Sequence, residues 1–183
     1  MKFLKLAGLV VLVLAVCACG AYLGRHELTR MEEELPSFTA SAGETQEERI
    51  AMQDGVKLFA TVMLPKGKGP FPAILVRNPY AKFATIMRDS LCGRFVRYGY
   101  ACVLQDVRGQ GESEGEWSPM ANEVRDGRDT INWLVGQTFQ DGNIAMVGPS
   151  YLASVQYAVA ASGLPEEVKT LVPAVYTTDL SDV

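Results

Sequence analysis

Histidine is almost absent from this 183-residue sequence, because its one histidine is His26, near the N-terminus. Cysteine is scarce as well: of four cysteines, only Cys92 and Cys102 lie outside the apolar N-terminal segment. Such a sequence offers no Cys/His spacing of the kind that binds zinc and no disulfide framework. We therefore predict no metal and no cofactor. Cys102 stands in an apolar run, so we expect a small buried hydrophobic residue there, with a single Cys92–Cys102 bridge as the less favoured alternative.

An excess of basic charge is also missing. The sequence has 17 Lys and Arg against 21 Asp and Glu, a net charge of −4, and no basic stripe. This balance argues against a nucleic-acid partner. Hydrophobic residues make up 48% of the chain, which is enough for one domain with a real core.

The N-terminus has the pattern of a targeting segment. Lys2 and Lys5 precede an uncharged, almost wholly apolar run over residues 6–23. Three interpretations stay open for residues 1–24: an uncleaved membrane anchor, a cleaved secretory signal, and a lipoprotein signal with Cys19 as the lipidated residue. We favour the anchor or the lipoprotein, with the domain on the periplasmic or extracellular side. Residues 25–46 are polar and acidic, as expected of a linker.

Residues 47–183 have the pattern of one α/β domain. Asp54-Gly55 separates two strand-like runs and predicts an antiparallel hairpin. Buried strands are then predicted near residues 72–77, 100–105, 143–147 and 168–172, with helices between them. This alternation predicts a mostly parallel sheet with helices on both faces.

The most informative segment is Gly148-Pro149-Ser150-Tyr151-Leu152-Ala153. It joins an apolar strand to a helical pattern, which is the setting of a nucleophile elbow. Ser150 is the candidate nucleophile, and the backbone N–H of Tyr151 points to where an oxyanion would develop. Leu152 stands in place of the last glycine of G-x-S-x-G, so an ordinary strand-to-helix turn is the competing interpretation.

Tyr80 is a second candidate. It follows the predicted strand at residues 72–77, in the loop 78–82, and the C-terminal ends of parallel strands face the site in such sheets. Its hydroxyl is suited to donate to an oxyanion, although packing on the rim of the site is the simpler interpretation of the tyrosine alone.

The glycine-rich loop at residues 106–117 does not fit a dinucleotide site. Its glycine spacing differs from G-x-G-x-x-G, and three glutamates there would repel a pyrophosphate. We expect Asp106 and Arg108 to brace this loop. Glu123, Asp126 and Asp129 recur in the next predicted helix, and we expect them to form a solvated face.

Four segments together resemble the cocaine-esterase-like and X-Pro dipeptidyl-peptidase group of α/β-hydrolases. They are residues 105–115 (QDVRGQGESEG), 148–153 (GPSYLA), 78–82 (NPYAK) and 171–174 (LVPA), and the likeness runs from about residue 48 to 182. The resemblance implies an α/β-hydrolase fold, Ser150 as the nucleophile, and an oxyanion hole made by the Tyr80 hydroxyl and the Tyr151 N–H.

Members of that group carry a helical cap, the triad Asp and His, and a C-terminal jelly-roll domain after the elbow half of the sheet. We expect this sequence to be the front part of such a hydrolase, truncated after the strand that follows the elbow helix. No histidine follows Ser150, so we expect this sequence to lack the triad histidine and, with it, the acid.

The expected function is that of a serine hydrolase that cleaves an ester or amide, of the acyl-ester or X-Pro dipeptide class, through an acyl-enzyme on Ser150. The expected partners are a small-molecule ester or peptide substrate and a membrane contacted through the N-terminal segment. The alternatives are a non-catalytic fragment or remnant of such a hydrolase and a periplasmic ligand-binding domain. The sequence does not separate esterase from peptidase, and it does not indicate an oligomeric state.

Overall fold

Six strands make one mixed sheet in the computed structural model, which describes residues 37–175. The strand order is β1-β2-β4-β3-β5-β6. The β1–β2 and β2–β4 pairs are antiparallel, whereas β3 pairs in parallel with both β4 and β5, and β5 pairs in parallel with β6. The strands are β1 (Ala42–Ala51), β2 (Lys57–Pro65), β3 (Phe71–Asn78), β4 (Ala101–Asp106), β5 (Gln140–Pro149) and β6 (Val168–Ala174).

The first two strands form the predicted hairpin. Ala51 pairs with Lys57 across the turn, and Gly55 takes a φ of 84° that favours glycine. The first strand begins earlier than the sequence pattern indicated, because residues 42–46, predicted as part of the linker, already belong to β1.

Three helical segments cover the sheet. Helix α1 consists of Ala84–Ile86, a π-helical stretch Met87–Cys92, and Gly93–Arg97, and it follows the 3₁₀ turn Ala81–Phe83. Helix α2 is Glu123–Val135 and helix α3 is Tyr151–Ala160. No helix within residues 37–175 is long and apolar enough to cross a membrane. The predicted signal or anchor at residues 1–24 and His26 lie outside the described residues.

The core lies on both faces of the sheet. Along β3, the side chains of Ala73 and Leu75 enter one apolar cluster, whereas Ile74 and Val76 enter the other. Residues of α2 and α3 complete the first cluster, and residues of α1 with Leu152 of α3 complete the second. Because both faces are covered, the central strands are continuously apolar, as the sequence pattern predicts.

A disulfide joins Cys92 to Cys102, so the prediction of an unpaired Cys102 is wrong. Cys92 ends the π-helical stretch of α1 and Cys102 lies on β4, and both side chains are fully buried in the cluster between helix and sheet. Their Cα atoms are 5.4 Å apart. The packing of α1 on β4 brings them together, and the two linear patterns do not reveal that contact.

Candidate active site

Ser150 lies at the sharp turn between β5 and α3. Its backbone has φ 57° and ψ −125°, a conformation that non-glycine residues rarely adopt, and its side chain is exposed. The Ser150 N–H donates to the Ala174 carbonyl, 3.0 Å away, and the Ser150 carbonyl accepts from the Ala153 N–H at 2.8 Å. The strained turn is therefore held from both sides, with the hydroxyl directed out of the sheet.

Gly148 and Leu152 explain how the turn tolerates a leucine where the simple motif has glycine. Gly148 has φ 150°, and a Cβ added there would lie 2.4 Å from the Leu152 Cβ. Leu152 is fully buried at this contact, and Ala153 beside it is also buried. The elbow therefore needs its first glycine because the leucine fills the space next to it.

Tyr80 reaches Ser150 from the end of β3. Its hydroxyl oxygen lies 3.2 Å from the Ser150 Oγ, although the two residues are 70 positions apart in the sequence. The Tyr80 N–H donates to Asn78 Oδ1 at 3.0 Å, and the Phe83 ring packs edge-on to the Tyr80 ring with centroids 6.4 Å apart. The loop after β3 is thus fixed so that the Tyr80 hydroxyl faces the serine.

Tyr151 offers its backbone rather than its side chain. As the first residue of α3, it has no acceptor for its N–H within the helix, and the N-terminal end of a helix favours negative charge. The phenol ring turns away and packs against Trp117, with centroids 5.4 Å apart. Burial raises the pKa of the Tyr151 hydroxyl above its usual range, and the charge of Glu123 raises it further.

The acidic residues of α2 do not form a solvated face, so that prediction is wrong. Glu123, Asp126 and Asp129 are all buried. The Glu123 carboxylate lies 2.9 Å from the Arg77 guanidinium, and the Asp126 carboxylate accepts from Arg108 at 2.7 Å. Asp129 Oδ2 accepts from the backbone N–H of Gln53 at 2.9 Å. Buried carboxylates need such partners.

One signal in the sequence could have indicated this arrangement. Arg77 ends an otherwise apolar strand that was predicted to be buried, and it is 1% exposed. A buried guanidinium requires a counter-charge, and α2 supplies it.

The glycine-rich loop is braced by Asp106 and Arg108, as predicted. Asp106 Oδ2 accepts from the Glu112 N–H at 3.2 Å, and the Asp106 carbonyl accepts from the Ser113 hydroxyl at 2.6 Å. Burial raises the pKa of Asp106. Arg108 pairs with Asp126 and with Asp54, which ties the loop both to α2 and to the hairpin turn.

The described residues bring together an exposed serine hydroxyl, a phenol hydroxyl and a free helix end. This arrangement can present a nucleophile and two hydrogen-bond donors to one carbonyl group. Residues 37–175 contain no histidine, so a histidine base is not among them. The same residues hold no cluster of three or more His, Cys, Asp or Glu side chains that could bind a metal ion.

Comparison with known proteins matches the chain to one family. The profile of the X-Pro dipeptidyl-peptidase (S15) family matches residues 54–183, which include every residue of the site. The chain belongs to the S15 family. The resemblance inferred from the sequence motifs is thereby confirmed.

The relatives of this S15-family chain are hydrolases. Over 134 residues it is 41% identical to the cocaine esterase of Rhodococcus sp. (strain MB1 Bresler), an overlap of 72% of the chain and 23% of that enzyme. Among solved structures it resembles an α-amino acid ester hydrolase with a TM-score of 0.64 and 30% identity, over 79% of the chain and 28% of that protein. The chain thus spans about a quarter of the length of these relatives.

A more distant likeness concerns the fold alone. A CocE/NonD family hydrolase from Staphylococcus aureus superposes with a TM-score of 0.62 at 24% identity, over 76% of the chain and 31% of that protein. With the six-stranded sheet and its two helical layers, these neighbours confirm the α/β-hydrolase fold that the sequence predicted.

Proposed function

We propose that the protein carrying this chain is a serine hydrolase that works through an acyl-enzyme on Ser150. One observation supports this most: the Tyr80 hydroxyl lies 3.2 Å from the Ser150 Oγ at a strained elbow. In the proposed reaction, Oγ attacks the substrate carbonyl carbon while its proton passes to a base. The oxyanion is held by the Tyr80 hydroxyl and the Tyr151 N–H, and the leaving alcohol or amine takes the proton as the acyl-enzyme forms.

The base and the acid that orients it are proposed to come from outside residues 37–175. The exposed position of Ser150 supports this, because its hydroxyl is open to a group approaching from beyond the described sheet. Water then attacks the acyl carbonyl carbon and gives a proton to the same base. The acyl–Oγ bond breaks, the base returns the proton to Ser150 Oγ, and the carboxylic acid product leaves.

Two substrate classes compete. The cocaine esterase and the α-amino acid ester hydrolase are, by name, ester hydrolases, which favours an acyl ester. The family description names X-Pro dipeptides, which favours an amide. We give preference to the ester, because both of these named enzymes share that chemistry. The second candidate function is a non-catalytic remnant with a binding role, since the described residues contain no histidine that could serve as the base.

Turnover by the full-length protein that carries this chain tests the proposal. We expect the protein to hydrolyse p-nitrophenyl acyl esters and to release p-nitroaniline from Gly-Pro-p-nitroanilide more slowly or not at all. The Ser150→Ala variant should have a kcat lower by at least about 10³-fold. Ser154→Ala is the matched control, because Ser154 lies in the next turn of α3 and has no proposed role. A folded wild-type protein that hydrolyses neither substrate would favour the remnant.

We further propose that the domain lies outside the cytoplasm, held by the N-terminal segment as a membrane anchor or as a lipoprotein at Cys19. The Lys2 and Lys5 pattern supports this, and so does the Cys92–Cys102 disulfide, because such bonds persist in oxidising compartments. Cell fractionation should recover the full-length protein in membranes, with Cys92 and Cys102 resistant to alkylation. Recovery from the cytosol with both thiols alkylated would contradict this.

A further inference from the structure

A chain of contacts, buried at its centre, connects the two candidate oxyanion donors. It begins at Tyr151, whose hydroxyl donates to Glu123 Oε1 at 3.0 Å and accepts from the Met120 N–H at 2.8 Å. The phenol is therefore fixed in direction by a donor and an acceptor, and its ring is fixed by Trp117. Because Tyr151 follows Ser150 directly, anything that fixes its side chain also limits the rotation of the elbow.

Glu123 is itself fixed by Arg77. Arg77 Nη1 lies 2.9 Å from Glu123 Oε2 and donates to the Glu123 carbonyl at 3.0 Å, so the carboxylate contact is an ion pair beside a hydrogen bond. The two side chains are 0% and 4% exposed. Because both side chains are buried, solvent screens the ion pair weakly, and loss of either partner leaves the other charge buried and uncompensated.

Arg77 connects the pair to the other donor. It stands on β3, the strand that leads directly into the Tyr80 loop, and its Nε donates to Gln105 Oε1 on β4 at 3.0 Å. The next residue, Asn78, is the one that holds the Tyr80 backbone. The ion pair thus joins the strand that carries Tyr80 to the residue that carries the second donor.

We propose that Glu123, held by Arg77, is a positioning residue that sets the Ser150–Tyr151 turn and keeps the Tyr151 N–H aligned with the Tyr80 hydroxyl. The catalytic part of this inference rests on the function proposed above. Glu123 performs no proton transfer in it: the carboxylate accepts from the phenol and thereby holds the start of α3 in register with the end of β3.

Three variants of the full-length protein test the catalytic consequence. Tyr151→Phe removes the hydroxyl and keeps the ring, and Glu123→Gln keeps the shape and removes the charge. Each should lower kcat for an ester substrate by about 10–100-fold and change KM little. The reason is that misaligned oxyanion donors stabilise the transition state less, whereas they affect substrate binding little. The double variant should lose little beyond the worse single variant, because both changes break one contact chain.

Asp129→Asn is the matched control, since it neutralises another buried carboxylate on the same helix whose partner is the Gln53 N–H. It should keep kcat within about twofold at a temperature where every variant is folded. Equal losses in Asp129→Asn, or losses in the two single variants that multiply in the double variant, would show a general stability effect and overturn the proposal.

A second measurement is independent of turnover. Backbone hydrogen exchange over residues 148–156 should accelerate about tenfold in Glu123→Gln and in Tyr151→Phe, and remain unchanged in Asp129→Asn. If the wild-type protein shows no Ser150-dependent turnover, the function proposed above fails, and exchange alone decides whether Glu123 positions the turn. Unchanged exchange in both variants would refute the positioning role whatever the activity.

Discussion

Ser150 and Tyr80 were accessible to sequence reasoning by different routes. Ser150 is marked locally, because an apolar strand, a glycine and a helical pattern surround it, and the φ of 57° agrees with a nucleophile elbow. Tyr80 is marked only by its place after a predicted parallel strand, because the serine that it meets is 70 positions away. That place made its hydroxyl a candidate donor, the tyrosine alone favoured packing on the rim, and the resemblance to a family implied the oxyanion role.

The burial of the acidic residues of α2 was not predictable from their spacing in the sequence. Their helical spacing places Glu123, Asp126 and Asp129 near one another, but spacing does not tell which face of a helix is buried. Glu123 and Asp126 are held by Arg77 and Arg108 from distant segments of the sequence, and Asp129 is held by a distant backbone N–H. Charged residues on a helix face are usually solvated, and here buried guanidinium groups reverse that expectation.

Tyr80→Phe tests the role of the phenol at the residue scale. We expect kcat of the full-length protein to fall by roughly 10²–10³-fold, the effect of losing one oxyanion donor, with the fold retained because the ring contact to Phe83 remains. Tyr98→Phe is the control, because Tyr98 is the C-cap residue of α1 and has no proposed role in catalysis. Steady-state kinetics with one ester would measure kcat for both variants. An unchanged kcat in Tyr80→Phe would show that this tyrosine only packs on the rim of the site.

At the scale of elements, the close approach of α2 to α3 and to Arg77 depends on Gly127. A Cβ at this position would lie 2.2 Å from Val159 Cγ2 on α3 and 2.9 Å from Arg77 Nη1. The glycine therefore sits where the helix, its neighbour and the buried guanidinium meet. The sequence predicted a helix here, but only the packing shows why no side chain fits at Gly127.

Gly127→Ala should therefore destabilise the protein, although the helix propensity of alanine is more favourable than that of glycine by about 1 kcal/mol. Overpacking against Val159 and Arg77 should lower the free energy of unfolding by about 1–3 kcal/mol net. Gly136→Ala is the control, because the nearest atom to its Cβ would be the Trp133 carbonyl oxygen at 3.4 Å. Urea unfolding of the two variants would measure the difference, and a Gly127→Ala protein as stable as the wild type would disprove the packing argument.

At the scale of the whole molecule, strand order brings the site together. The chain makes β4 before β5, yet β3 lies between them, with Leu75 opposite Val103 on β4 and Met146 on β5. The C-terminal ends of β3 and β5 are thus neighbours, and Tyr80 and Ser150 follow them. Alternating patterns predicted the α/β class and most strands, but the order of strands follows from long-range pairing that hydrophobic periodicity does not encode.

The mass of the covalent intermediate tests most directly whether Ser150 is the nucleophile. The full-length protein would be mixed with p-nitrophenyl acetate, quenched with acid during the burst, and digested for peptide mass analysis. We expect an acetyl group on Ser150, formed faster than steady-state turnover and absent from Ser150→Ala. Burst turnover with no adduct on Ser150, or with the acetyl group on another residue, would contradict it.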